Sequence, residues 1–175
     1  MIYTAHYDSP LGRLFLAADE EGLTGLWFEE AAHFADGLPT KREESETPVL
    51  AETKKWLDLY FRGQKPEFLP KLHPVGSNFR QEVWALLREI PYGRTTTYGT
   101  LAKELARRRG RTTVSAQAVG GAIGHNRISI LIPCHRVVGS SGSLTGYAGG
   151  LEKKARLLEL EGVAMERFRW PEKRK

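Results

Sequence analysis

The chain has 175 residues, 41% of them hydrophobic and 27% charged, the balance of a globular protein with room for one domain or two small ones. Its longest unbroken apolar stretches, such as Leu14-Phe15-Leu16-Ala17-Ala18, fall far short of the ~20 residues a membrane span needs. The N-terminus shows no basic leader and no apolar signal core, so a cytoplasmic location is expected. Cys134 is the single cysteine, which excludes an internal disulfide and a multi-thiolate zinc centre, and a free thiol fits a reducing compartment. The net charge of +5 hides an asymmetry: residues 1–75 carry 8 Lys and Arg against 13 Asp and Glu, whereas residues 76–175 carry 18 against 8. A basic second half suits a polyanionic partner, although a basic solvated surface would look the same.

The first half reads as short strands over 2–7, 12–18 and 23–28, separated by turn-forming Asp8-Ser9-Pro10 and Asp19-Glu20-Glu21-Gly22, and so as a small antiparallel sheet. Residues 37–46 read as an exposed loop. The apolar spacing of Leu50, Trp56, Leu57, Tyr60 and Phe61 predicts a helix over 49–61. Pro66, Pro70 and Pro74 then forbid a regular element over 64–75.

In the second half Asn78 is placed to cap a helix, with Gln81 three residues on and an apolar face of Phe79, Val83, Trp84, Leu86, Leu87 and Ile90. Pro91-Tyr92-Gly93 stops it. A second helix is predicted over 98–109, buried through Leu101, Ala102, Leu105 and Ala106, and Ser115 caps a third over 116–124. The arrangement reads as a helix-turn-helix. Gly120, Gly121 and Gly124 in the third helix each cost about 1 kcal/mol relative to Ala. Either tight packing against another helix or close approach of a ligand would justify them, and Arg107 to Arg109 with Arg111 just upstream make a nucleic-acid backbone a candidate. The domains expected are 1–75 and 76–165, followed by a basic tail over 166–175.

Chemistry concentrates in Ile128-Ser129-Ile130-Leu131-Ile132-Pro133-Cys134-His135-Arg136-Val137-Val138. A β-type apolar run delivers a thiol just after a proline that ends the ladder. An imidazole can take the thiol's proton, and nearby cations lower its pKa. Adjacent residues of a strand face opposite ways, so contact between Cys134 and His135 requires a turn or a bridging water. Residues 139–150 hold five glycines around Tyr147, a loop able to wrap a flat ligand. A helix over 151–161 follows, ended by Gly162. Glu161 lies at its C-terminal end, where the dipole disfavours a carboxylate; it is either solvated or the third member of a Cys–His–Glu relay.

With these flanking elements in order, Pro133-Cys134-His135-Arg136-Val137 resembles the active-site motif of the O6-alkylguanine-DNA alkyltransferases, or methylated-DNA–protein-cysteine methyltransferases. The resemblance covers residues 77–163 strongly, including Gly120-Gly121, Asn126, the 146–150 loop and Glu161-Gly162, and the first 75 residues loosely. It implies an α/β (α+β) fold: a ribonuclease H-like sheet domain and a winged-helix-like helical domain. It implies that Cys134 is the alkyl acceptor in a single-turnover reaction, that His135 acts as base through a water, that Glu161 orients His135 and that Asn126 holds the arrangement. Tyr98, Val137, Tyr147 and Ala148 match positions that bind the extruded base. Ser115, Gln117, Gly120, Gly121, Arg111, Thr97 and Arg136 are the expected DNA contacts, through a recognition helix entering the minor groove. The implied partner of this chain, taken as a monomer, is double-stranded DNA carrying O6-alkylguanine, with O4-alkylthymine a further substrate. No metal and no cofactor are implied, and the zinc site of some members has no thiolates here. Gln117 departs from the arginine finger that many members carry. Three rivals remain at this level: a lesion binder of the alkyltransferase-like type, against which Cys134 itself argues; a cysteine hydrolase; and a transcription regulator with an inert thiol.

Overall fold

The computed structural model describes residues 1–170; the last five residues of the expected basic tail, 171–175, lie outside them. The chain divides into two units, the first made of Met1–Gly76 together with Arg127–Leu131, the second of Ser77–Asn126 and the chain from Ile132 onward. The expected second domain is thus interrupted by five residues that pack within the first.

In the first unit β1 (Tyr3–Ser9), β2 (Gly12–Ala18) and β3 (Leu23–Phe28) form antiparallel pairs, with Tyr3 opposite Ala18 and Leu14 opposite Phe28. The turn between β2 and β3 is set by the Asp19 carboxylate, which accepts from the amides of Glu21 at 2.8 Å and Gly22 at 3.0 Å. The loop expected over 37–46 contains a two-residue strand, β4 (Glu43–Glu44), parallel to β1, so the sheet order is β3-β2-β1-β4. Two exposed glutamates show no alternation, which is why the pattern missed this strand; their charge discourages further pairing at that edge. All six residues of β3 are buried because non-strand segments close its free edge. Leu23 donates to the Lys71 carbonyl and accepts from His73 N–H, while Leu26 donates to the Arg127 carbonyl and accepts from Ser129 N–H. Within that second segment Ile130 is buried with a φ of 71°, a left-handed conformation rarely adopted by a β-branched residue. Helix α1 (Pro48–Phe61) begins at Thr47, whose side chain accepts from Leu50 N–H, with proline in the first turn. It lays Leu50, Trp56, Leu57 and Tyr60 on β1 and β2.

In the second unit α2 (Asn78–Leu87), α3 (Tyr98–Arg108) and α4 (Ala116–Gly124) pack on one another. The cap of α2 is Ser77, not Asn78: the Ser77 side chain accepts from Arg80 N–H at 3.3 Å, so Gln81 stands four residues after the cap instead of three, and the helix ends three residues before Ile90. Thr97 and Ser115 cap α3 and α4 in the same way. The run over 128–138 is not a strand. It makes an isolated parallel bridge at Ile128 with Leu26, becomes a 3₁₀ turn at Cys134–Arg136, and forms a ladder only at β6 (Val137–Val138), parallel to β5 (Thr96–Thr97). Helix α5 (Leu151–Leu160) buries Ala155 and Leu158 against Val138, Leu144 and Val163. Residues 166–170 are no free tail, since Leu144 donates to the Arg169 carbonyl at 2.7 Å and Arg169 donates to that of Gly142 at 2.9 Å. Among the described residues no helix is long and apolar enough to cross a membrane.

Trp84 ties this unit together: its indole N–H, buried, donates to the Ala122 carbonyl at 2.9 Å, one of the acceptors that the end of α4 leaves without an intrahelical partner. Trp84→Phe is expected to cost about 2 kcal/mol in urea denaturation, since it strands a buried carbonyl as well as removing contact area. A cost below about 0.5 kcal/mol, the level of ordinary surface changes, would remove this bond from the account.

A candidate active site at Cys134

The 3₁₀ turn resolves the geometric objection raised by a strand. Cys134 N–H donates to the Ile132 carbonyl at 2.8 Å and Arg136 N–H to that of Pro133 at 3.0 Å. Three residues per turn place neighbouring side chains about a third of a turn apart instead of on opposite faces. All three side chains are buried, Cys134 at 5% exposure, His135 at 0% and Arg136 at 8%.

The thiol is held by Asn126, which follows α4. The Asn126 side-chain amide donates to Cys134 Sγ at 3.2 Å and to the Ile132 carbonyl at 2.8 Å. Burial pushes the thiol pKa up, against the Asn126 hydrogen bond, the Lys154 charge and the backbone amides of Cys134 and His135. Burial wins, so the resting sulfur is a thiol, and a nucleophile must be generated by proton removal.

His135 is the adjacent imidazole. Burial lowers its pKa despite the Glu161 carboxylate, so the imidazole is neutral. Its Nε2 lies 2.6 Å from Glu161 Oε2. Burial alone would raise Glu161, but the hydrogen bonds and charges of His135 and Arg136 overcome it and hold the carboxyl at about 2. A neutral imidazole facing an anion must donate to it, so Nε2 carries the proton and Nδ1 is the basic nitrogen. Glu161 caps the C-terminus of α5, and both its oxygens are saturated: Oε1 accepts from Arg136 Nε at 2.8 Å and Gly93 N–H at 2.9 Å, while Oε2 accepts from His135 and from Arg136 Nη2 at 3.1 Å. These donors answer the dipole objection.

Arg136 was expected on DNA and is corrected: its guanidinium is consumed internally by Glu161 and by the Ile90 carbonyl at 2.7 Å. Sequence reasoning missed Lys154. This lysine of α5 has no exposed surface, and its Nζ donates to the carbonyls of Thr145 at 2.8 Å and Gly146 at 3.1 Å. Burial brings its pKa down to about 8, opposed by the charge the Cys134 sulfur carries as a thiolate. The phenol of Tyr98 donates to the same two carbonyls, at 2.8 and 3.2 Å, and burial lifts its pKa to about 12, so it stays a donor. Gly146 has a φ of 70°, and a Cβ there would lie 2.8 Å from the Tyr98 oxygen. The helical spacing of Lys154 from Leu151 and Leu158 was the available signal: it marks the apolar face.

Around this centre Val137 is fully buried, and Tyr147 and Ala148 are half-buried in the glycine loop. Ser115, Gln117 and Gly121 are exposed on α4, and Gly120 and Thr97 are partly so. A Cβ added at Gly121 or Gly124 would meet nothing within 4 Å, and at Gly120 only the Tyr98 ring at 4.0 Å. Tight internal packing therefore does not require these glycines. Arg111 is exposed and forms no ion pair among the described residues, whereas Arg107 is clamped by Glu104 at 2.6 and 3.0 Å.

Residues 78–163 match the family described as 6-O-methylguanine DNA methyltransferase, DNA binding domain, and residues 2–73 match its ribonuclease-like domain. The methylated-DNA–protein-cysteine methyltransferase of Methanosarcina acetivorans is 42% identical, over 92% of this chain and 99% of that protein. That of Haemophilus influenzae is 40% identical, over 93% and 87%. Mycobacterium tuberculosis OGT, solved in complex with DNA, superposes with a TM-score of 0.77 at 39% identity, covering 95% of this chain and 94% of that one. The two matches together span nearly the whole chain, and with relatives of this identity they place it in the O6-methylguanine DNA methyltransferase family.

Proposed function

We propose that this protein repairs DNA by direct reversal, taking the alkyl group from O6 of guanine, or O4 of thymine, onto Cys134 once per molecule. The observation that carries the reading is the thiol held by Asn126 beside a neutral His135 that is fixed in one tautomer by an ionised Glu161. His135 Nδ1 takes the thiol proton through a water as Sγ attacks the alkyl carbon in line. The new S–C bond replaces the C–O6 bond; the displaced guanine accepts a hydrogen bond from the Tyr98 phenol and takes up the proton that the thiol released to His135. A thioether has no easy hydrolytic exit, so the sulfur is consumed.

O6 lies within the base stack, so the nucleotide must be extruded, at a few kcal/mol. The glycine-bearing face of α4 is slim enough to press into the minor groove, Gln117 occupies the vacated stack, and Ser115, Thr97 and Arg111 meet the backbone. Tyr147, Ala148 and Val137 line the pocket for the base. We place the protein, as a monomer, in a reducing cytoplasm where its thiol stays free.

Incubation with O6-methylguanine duplex DNA is expected to add about 14 Da to the Cys134 peptide, never more than one methyl per chain. Cys134→Ser should transfer nothing; a serine variant that still clears the lesion would overturn the reading. Arg111→Ala is expected to flatten the dependence of log affinity on log salt by up to about one unit, while Arg107→Ala, already neutralised by Glu104, changes it less. Equal slopes for the two would remove Arg111 from the phosphate contacts. Glu161→Gln should cost about 3–5 kcal/mol, because it leaves Arg136 as an uncompensated buried cation. The folded-state pKa of Glu161 is depressed from 4.5 to about 2, so its contribution is complete above the ordinary value and disappears as pH falls towards the depressed one. Denaturation midpoints measured at descending pH should therefore converge for the wild type and Glu161→Gln.

A further inference from the structure

Two side chains from different helices, Tyr98 at the start of α3 and Lys154 in α5, hold the same two carbonyls of the glycine loop. Lys154 Nζ donates to Thr145 at 2.8 Å and Gly146 at 3.1 Å, and the Tyr98 hydroxyl lies 2.8 and 3.2 Å from the same oxygens. The two groups are not equivalent donors. An ammonium carries three N–H bonds and can serve both carbonyls at once, whereas a phenol has one hydrogen to give. Tyr98 keeps that hydrogen, because burial lifts its pKa to about 12. Lys154 has no exposed surface, so the carbonyls it meets are turned inward, and its Nζ lies 5.8 Å from the centre of the Tyr98 ring, within cation–π range. Among the described residues no carboxylate pairs with this ammonium. Burying a cation against neutral oxygens is costly, and packing alone would be served better by an apolar side chain.

We infer that Lys154 is a positioning residue for alkyl transfer: it keeps the 145–150 loop in place while the Tyr98 hydroxyl gives up the two carbonyls and turns its single hydrogen to the extruded guanine. The inference rests on the role proposed for Tyr98 above. A phenol that donates to Thr145 cannot donate to a base at the same time, so that role requires an exchange of partners. Without a second donor the exchange would strand two inward carbonyls just as a base closes over them and excludes water. It would also free the loop that carries Tyr147 and Ala148 at the moment they must line the pocket. With Lys154 in place both carbonyls keep a donor, and one hydrogen bond is traded for another.

The test has two arms on the full chain, with Lys154→Met and Tyr98→Phe alone and together. Thermal midpoints near that of the wild type establish folding, and Lys154→Gln replaces Lys154→Met in both arms if that variant is unfolded. The first arm is amide hydrogen exchange without DNA, read at Gly150, whose N–H donates to the Tyr147 carbonyl at 3.0 Å inside the loop. Lys154→Met is expected to speed this exchange about ten-fold, as loss of a charged donor requires, and Tyr98→Phe less than about three-fold. The second arm is the single-turnover rate with saturating O6-methylguanine duplex. Tyr98→Phe is expected to slow transfer about ten-fold in the wild type and less than about three-fold in the Lys154→Met background, where the phenol must stay on the loop. If Lys154 served only the charge on the sulfur, the two losses would multiply. Multiplying losses, or exchange in Tyr98→Phe as fast as in Lys154→Met, overturns the inference and leaves the proposed transfer standing. A wild-type chain that transfers nothing sinks the proposed function, and the inference with it.

Discussion

A carboxylate buried at the end of a helix, as Glu161 is, remains an anion only if donors meet both of its oxygens, because desolvation and the helix dipole both oppose the charge. Four donors from three residues do so: Gly93 after α2, and His135 and Arg136 in the 3₁₀ turn, the last contributing twice. The anion in turn fixes which imidazole nitrogen of His135 carries the proton. Replace it with a neutral acceptor and the tautomer is no longer dictated by charge. Arg136 keeps the anion ionised and is itself kept buried by it, so the pair explains why a motif arginine faces inward.

The thiol is arranged by opposing demands. Burial keeps it protonated, which protects a sulfur that acts once from casual oxidation, since reactivity follows thiolate character and exposure. The Asn126 amide and the charge of the buried Lys154 both favour the thiolate, against that burial. Lys154 serves the substrate side too, because it and Tyr98 grip the same two carbonyls of the glycine loop. The loop that would wrap a base is thereby tied to the helix that backs the sulfur.

Much of this was legible in the sequence because it is local. Strand and helix positions follow from apolar period and turn residues, and the Ser115 cap was read where it stands. The cap of α2 shifted by one residue because both Ser77 and Asn78 are competent, and only the entry geometry of the chain chooses between them. The apolar run before Cys134 looked like a strand because periodicity cannot register that residues 127–131 pack in the first unit and leave it through a left-handed Ile130. Arg136 and Lys154 were missed as buried cations for one reason: sequence assigns charge to the surface by default, and only three-dimensional partners allow a cation to be buried.

The three glycines of α4 show where that default reasoning turns informative. Each weakens the helix by about 1 kcal/mol relative to alanine. Inside the protein nothing compensates: added Cβ atoms at Gly121 and Gly124 would find open space, and at Gly120 an ordinary contact with Tyr98. Left-handed backbone is not the reason either, because all three lie within a regular helix. A persistent local cost with no internal return points to a surface outside the chain, one that must come closer than a side chain permits. Ser115 and Gln117 are exposed on the same short helix, and the thiol-holding Asn126 follows two residues after its end. The helix whose glycines border open space is thus joined, within a few residues, to the group that holds the sulfur.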